Sequence, residues 1–160
     1  MLEIEHKFLI KMPKTEELKE LPDVRIINIT QNYTSSGARI RKTEEKGKVT
    51  YIKTVKRHIT NLVRLEDENE ISLQEYTNLL ETREGNTIIK TRYVYPYKSK
   101  KIEIDIFPFW KKQAFLEVEL KSENEEFELP DFIEVIKEVT DDKAYRNYAL
   151  SKKIPKEENF

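Results

Sequence analysis

From Leu2 to Ile10 the chain alternates, with Leu2, Ile4, His6 and Phe8 on one parity and Glu3, Glu5 and Lys7 on the other. Successive side chains of a strand face opposite sides, so this spacing predicts a strand with two acids and a base on one face. Glutamate is a weak strand former, and two of them in step suggest that the face has a task. Taken alone, the segment also fits an edge strand whose solvated face is guarded by charge. The same alternation predicts further strands over residues 24–34, 38–42, 49–56, 62–71, 87–97, 101–107 and 114–122. Turn residues separate them: Ser35-Ser36-Gly37, Lys46-Gly47, and Asn61 after His58, with Pro96 and Pro108 at strand ends. A short helix is predicted from Thr15 to Leu21, closed by Pro22, and another after Ser72, a capping serine with Glu75 three residues on. Glu84-Gly85-Asn86 ends that second helix. Beyond Lys121 the chain turns acidic and a helical segment is expected over about 123–153, with Glu123 to Glu126 as a helix start and a terminal helix from Asp141 to Lys152.

The polar faces differ from strand to strand. Arg39 and Arg41 share a face, as do Thr54 and Lys56, and Lys90 and Arg92. Glu103 and Asp105 share another, as do Glu117 and Glu119, while Arg64, Glu66 and Glu68 mix the signs. The opposite faces are apolar: Ile40, Val55, Val63 and Leu65, Ile89, then Ile102, Ile104 and Ile106, and Leu116, Val118 and Leu120. An ordinary half-buried antiparallel sheet accounts for any one of these strands. It does not predict the segregation of acids and bases by strand, nor Arg and Glu where Thr, Ser and Gln usually stand. A sheet curled into a barrel with its charged face inward brings the two signs together around one cavity.

Composition narrows the partners. The chain of 160 residues reads as one domain, 38% hydrophobic and 37% charged, with 29 basic and 30 acidic residues for a net charge of -1. That balance is not a nucleic-acid profile, which usually carries net positive charge. With no cysteine there is neither a disulfide framework nor a thiolate metal site. No apolar run is long enough to span a bilayer and the first strand is not preceded by a signal-peptide core, so a cytoplasmic protein with no membrane partner is expected. Basic strands facing acidic ones suit a compact polyphosphate, whose oxygens take Arg and Lys while carboxylates hold Mg²⁺ or Mn²⁺ against it.

The segment Glu3-Ile4-Glu5-His6-Lys7 matches the E-x-E-x-K signature of the CYTH superfamily, the triphosphate tunnel metalloenzymes. The resemblance continues in the family's order through Gln31-Asn32-Tyr33, Arg39-Ile40-Arg41, Thr54-Val55-Lys56 and Arg64-Leu65-Glu66-Asp67-Glu68. It runs on through Lys90-Thr91-Arg92-Tyr93, Glu103 to Phe107, Phe115 to Leu120 and Val139 to Asn147. The chain is most similar to the short, single-domain bacterial members that hydrolyse inorganic tripolyphosphate. The resemblance implies a β-rich α+β fold: an eight-stranded antiparallel barrel, open at both ends, with a few outer helices. It covers residues 1–160 as a single domain, with tunnel strands over about 2–122. It further implies Glu3, Glu5, Glu117 and Glu119 as ligands of Mg²⁺ or Mn²⁺. Arg39, Arg41, Lys56, Lys90 and Arg92 would line the triphosphate path, with Lys143 reaching it from the terminal helix. Lys7 and Tyr33 would form an acid–base pair that activates water, against the plainer reading of Tyr33 as an aromatic of the wall.

Other residues take structural readings. Arg64, Glu66, Glu68, Glu103 and Asp105 are expected as ion pairs that hold the tunnel's shape. His6 lies on the parity away from the acids and reads as a wall contact. Trp110 reads as a loop anchor, with stacking on an organic base as the alternative. The implied activity is metal-dependent hydrolysis of tripolyphosphate. The alternatives are an adenylyl cyclase of class IV type, a thiamine triphosphatase, and a non-catalytic nucleotide or polyphosphate binding module.

Overall fold

The computed structural model describes residues 1–159. Nine strands are found among them: β1 (Leu2–Lys11), β2 (Arg25–Thr34), β3 (Arg39–Glu45), β4 (Lys48–His58), β5 (Val63–Ile71), β6 (Arg83–Tyr97), β7 (Lys100–Ile106), β8 (Gln113–Leu120) and β9 (Val135–Glu138). Short helices α1 (Thr15–Lys19), α2 (Leu73–Leu80) and α3 (Asn147–Leu150) and a 3₁₀ turn at Lys143–Tyr145 complete the fold. The strands run in the order β5-β4-β3-β2-β6-β7-β8-β1-β9, and a further β5–β1 pairing closes eight of them into a ring. Every pairing is antiparallel. The alternation read from the sequence is thus the inside and outside of a barrel.

β1 divides one edge between two partners. Leu2, Glu3 and Ile4 pair with Leu65, Arg64 and Val63 of β5, whereas Phe8, Leu9 and Ile10 pair with β9. In between, the Glu5 N–H donates to the Leu62 carbonyl at 3.3 Å and the Lys7 N–H to Thr140 Oγ1 at 2.9 Å. The Val139 N–H returns a bond to the Lys7 carbonyl at 2.8 Å.

Packing divides the apolar residues into two groups. Phe8, Ile10, Ile102, Ile104, Leu116 and Val118 face outward and are covered by Leu18 of α1 and by Phe127, Leu129 and Ile133. The second group is Leu9, Ile88, Phe107 and Phe115, joined by Trp110, Val139, Tyr145 and Leu150. Leu9, Ile88, Phe107 and Phe115 continue the inward parity of Lys7, Lys90, Asp105 and Glu117. One end of the barrel interior is therefore apolar and closely filled, where the resemblance implied an open bore. Trp110 belongs to this plug, 3% exposed, with its indole N–H donating to the Pro155 carbonyl at 3.0 Å. Val55 and Ile89, outward on the far wall, stay exposed.

The segment expected to be helical over 123–153 is mostly turns and extended chain, ending in the 3₁₀ turn and a single turn of α3. Two demands override the helix signal. The edge of β1 at Phe8–Ile10 needs a hydrogen-bonding partner, which β9 supplies. Phe127, Leu129 and Ile133 must reach successive points of the outer wall, and Pro130 removes a helix donor between them. Asp141 to Lys152 is a strap that crosses one end of the barrel. The cap of α2 is as expected, with Ser72 Oγ accepting from the Glu75 N–H at 3.1 Å.

Gly85 anchors the strap. Its φ is +75°, the Asn86 N–H donates to the Ser151 carbonyl at 2.7 Å, and a Cβ on Gly85 would lie 2.7 Å from that same oxygen. Gly47 has a similar φ of +80° with nothing within 4 Å of such a Cβ. Both Gly→Ala substitutions carry the left-handed backbone cost, but only Gly85→Ala also collides with backbone. In urea denaturation, Gly85→Ala is expected to lose at least about 1 kcal/mol more than Gly47→Ala.

Candidate active site in the barrel interior

The interior beyond the apolar plug is ionic. Two adjoining cavities, of about 240 and 150 Å³, share Glu5, Arg39, Lys56, Glu117 and Asn147 as walls. The larger opens under the strap and holds Lys7, Tyr33, Arg64 and Arg146. The smaller holds Glu3, Arg41, Glu66, Glu68, Arg92, Glu103 and Glu119. Antiparallel register sets most of these neighbours: Glu5 lies opposite Glu119, Lys7 opposite Glu117, and Glu103 opposite Glu117.

Carboxylates converge at one place. Oxygens of Glu5, Glu103 and Glu119 all lie within 4.8 Å of one another. Burial, with Glu117 and Glu3 nearby, raises the Glu5 pKa well above the carboxylate range. Burial beside Glu103 raises that of Glu119. Three hard oxygen donors that converge, with Glu5 and Glu119 held there at the expense of their own ionisation, are a donor set that a divalent cation relieves, so these residues fit Mg²⁺ or Mn²⁺. Of the four expected ligands, Glu5 and Glu119 thus come together. Glu3 instead takes Lys56 at 2.8 Å, and Glu117 lies 3.7 Å from Lys7. Burial pushes Glu117 up, but Lys7 and Arg92 pull it down to about 2. Glu103, expected only as a structural ion pair, joins the cluster while bonding Arg92 at 2.9 Å.

The remaining charges separate into paired and free. Asp105 accepts from Lys90 at 2.7 Å and from two nitrogens of Arg92 at 2.7 and 2.9 Å. Although burial opposes its charge, these two cations hold the Asp105 carboxyl far below its usual range. Lys90 is 1% exposed and lines neither cavity, so it is a buried counter-ion and lies off the path expected for it. Lys56 bridges Glu3 and Glu66, the latter at 3.4 Å. Glu68 lines the smaller cavity without an ion pair among the described residues.

Arg39 and Arg41 are buried and also have no carboxylate partner among the described residues. Arg41 Nε donates to Gln31 Oε1 at 2.8 Å, and burial beside Arg39 and Arg92 lowers its pKa to about 9. Arg39 reaches only Thr54 at 3.4 Å, and its buried Nε is unpartnered. Such guanidiniums are short of anion.

Lys7 and Tyr33 line the same cavity without a hydrogen bond between them. Lys7 Nζ donates to the Tyr145 carbonyl at 2.7 Å and sits 4.0 Å from the centre of the Phe115 ring. Burial lowers its pKa, against the pull of Glu117 and Glu5. Tyr33 meets Tyr148 of the strap edge-on at 5.1 Å. Lys143 is exposed and faces a separate surface hollow beside Asp141 and Asp142, away from both cavities. His6 faces outward, as expected, with Nδ1 2.7 Å from Glu138. The residues that sequence reading missed are Asn61, Arg146 and Asn147. They stand on a turn and on the strap, outside any alternation that marks a face.

No family model matches the chain, and no curated protein matches it. Solved structures do. The inorganic triphosphatase NE1496 superposes with a TM-score of 0.58 at 27% identity, over 96% of this chain and 99% of that one. A second structure of NE1496 gives 0.60 at 28% over the same spans. A hypothetical protein from Pyrococcus furiosus, Pfu-838710-001, shares the fold at 20% identity, with a TM-score of 0.53 over 76% of this chain and 80% of that one.

Asp105 offers a direct test of the interior's charge balance. Asp105→Asn leaves Lys90 buried without an anion and Arg92 with Glu103 alone, and is expected to cost about 3–5 kcal/mol in urea denaturation. A loss below about 1 kcal/mol would mean that the network does not hold the barrel.

Proposed function

The chain shares signature residues and tunnel fold with the CYTH superfamily and its short bacterial triphosphatases, and on that premise we propose that it hydrolyses inorganic tripolyphosphate to pyrophosphate and phosphate. The observation that carries this reading is the juxtaposition of the Glu5, Glu103 and Glu119 carboxylates with the unpaired guanidiniums of Arg39 and Arg41 across one interior. A polyanion held through a divalent cation completes both halves, which neither a lone anion nor a lone metal does.

In this mechanism Arg39, Arg41, Lys56 and Arg92 orient the phosphoryl oxygens and disperse the charge that builds as the bridging P–O bond breaks. Glu5, Glu103 and Glu119 would hold Mg²⁺ or Mn²⁺, with Glu3 and Glu117 beside them. An ion held there would supply charge neutralisation at the phosphoryl oxygens and a more acidic water. Water attacks a terminal phosphorus, its proton passes to Lys7, and pyrophosphate departs. Burial favours the neutral amine of Lys7 against the pull of Glu117 and Glu5, which is the direction a proton acceptor needs. Tyr33, without a bond to Lys7, bounds the cavity and takes a positioning part. Trp110, buried in the plug, offers no platform for stacking an organic base.

The test is phosphate release from tripolyphosphate, ATP and thiamine triphosphate with Mg²⁺ or Mn²⁺, with cyclic AMP assayed in the ATP reaction. Tripolyphosphate is expected to turn over fastest, with little cyclic AMP. Stoichiometric cyclic AMP and pyrophosphate would make the protein a cyclase. Thermal stabilisation by tripolyphosphate without turnover would make it a binding module.

Glu103→Gln separates ligand from ion pair. As a ligand, it should raise the metal concentration for half-maximal activity by at least about tenfold at saturating tripolyphosphate. An unchanged metal requirement returns Glu103 to Arg92 alone.

A further inference from the structure

The three carboxylates that fit a metal differ in the cations that already serve them. Glu5 has no ion pair among the described residues. Glu103 bonds Arg92 at 2.9 Å, but Arg92 is buried and doubly bonded to Asp105, so it is fixed in place. Glu119 has Lys101 alone, whose Nζ lies 3.6 Å from Oε1, beyond hydrogen-bond length. Lys101 has no other ion pair among the described residues, and its side chain is 46% exposed.

Strand register puts this lysine at a mouth of the barrel. Lys101 stands opposite Glu119 of β8, two residues before Glu103 on the same inward parity of β7. It lines the smaller cavity, and it also lines a hollow on the outside with Arg25 and Pro96. A compact ammonium on a flexible four-carbon stem, reaching both, has a way out of the barrel. Burial beside Glu103 disfavours the Glu119 charge, and Lys101 acts the other way. A divalent cation among the same oxygens would compete with that ammonium for Glu119, and like charges so close repel. The cation held less firmly yields. Arg92 is locked by Asp105, and Lys101 is not.

We infer that Lys101 is a displaceable counter-ion of the carboxylate cluster: without metal its ammonium partly neutralises Glu119 from the mouth, and a divalent cation entering among Glu5, Glu103 and Glu119 drives it out to the solvent side. The inference rests on the metal-dependent reading and extends it to the control of metal occupancy. Each binding event must first undo the pair between Lys101 and Glu119, so this lysine sets the metal concentration at which the barrel fills.

Calorimetric titration of Mn²⁺ into the full chain, with no substrate present, tests the exchange apart from turnover. Lys101→Gln removes the competitor and should tighten Mn²⁺ binding about fivefold at low ionic strength, the upper range for a half-exposed ion pair. Lys101→Arg keeps the charge and should stay within about twofold of the wild type. Lys42→Gln, the same charge change on an exposed residue of outward parity in β3, should also stay within about twofold. The gain in Lys101→Gln should shrink as potassium chloride is raised, because salt screens the pair that the substitution removes. A lysine that only props the cluster gives the opposite sign, since its loss would weaken the metal.

Mn²⁺ affinity in Lys101→Gln that stays within about twofold of the wild type, or falls, overturns the exchange and leaves the metal site standing. Equal tightening in Lys101→Arg or Lys42→Gln overturns it as well, because the effect would then not belong to the Lys101 charge. A wild type that binds no Mn²⁺ overturns the exchange and the metal half of the proposed function together.

Discussion

Every ionised side chain that points into a closed barrel must find an opposite charge or give up its own, and this one requirement organises the interior. Desolvation makes an unpaired charge costly, and the walls leave few directions in which to escape to water. Asp105 meets the requirement for two cations at once, Glu3 and Glu66 meet it for Lys56, and Glu117 meets it for Lys7. What is left over is not random. Acids remain in excess where Glu5, Glu103 and Glu119 converge, and guanidiniums remain in excess from Arg41 through Arg39 to the strap. The barrel is balanced in total and polarised along its length, so its ligand must be polarised too.

Much of this was legible in alternation alone, because parity in a closed sheet is the same thing as facing the lumen. All the charged residues named from the first strand to the eighth do point inward, and the strand boundaries fall close to those expected. Parity cannot assign partners across the ring, however. Glu103 and Asp105 sit on one strand with one parity, yet Asp105 is locked by Lys90 and Arg92 while Glu103 also meets the acid cluster. Lys90 and Arg92 differ in the same way. Such distinctions arise from which strands become neighbours, which no single segment encodes.

The same parity carries a subtler signal. On four strands the inward parity passes from charged to apolar, at Leu9, Ile88, Phe107 and Phe115, and that change marks where the lumen stops and the plug begins. The C-terminal region misled for a different reason. Its acidic run has helical composition, but its conformation is dictated by the open edge of β1 and by outer wall in need of cover. Tertiary demand outweighed local propensity, as it readily does where propensity is weak.

The divided edge of β1 bears on how the molecule comes into being. β1 is the first strand to be made, and two of its three partners, β8 and β9, are nearly the last. Strands β2 to β5 and β6 to β8 pair with sequence neighbours and β2 with β6 across three strands, but Glu5 and Lys7 meet Glu119 and Glu117 only when more than a hundred residues have followed them. Contacts of such long range form slowly, because a large loop must close before they are rewarded. Until β8 and the strap arrive, the nascent chain carries an unclosed sheet whose inner face is ionic, a face that resists the sticking of sheet to sheet which apolar strands invite. The residues that would serve catalysis in the finished barrel thus keep its incomplete forms apart.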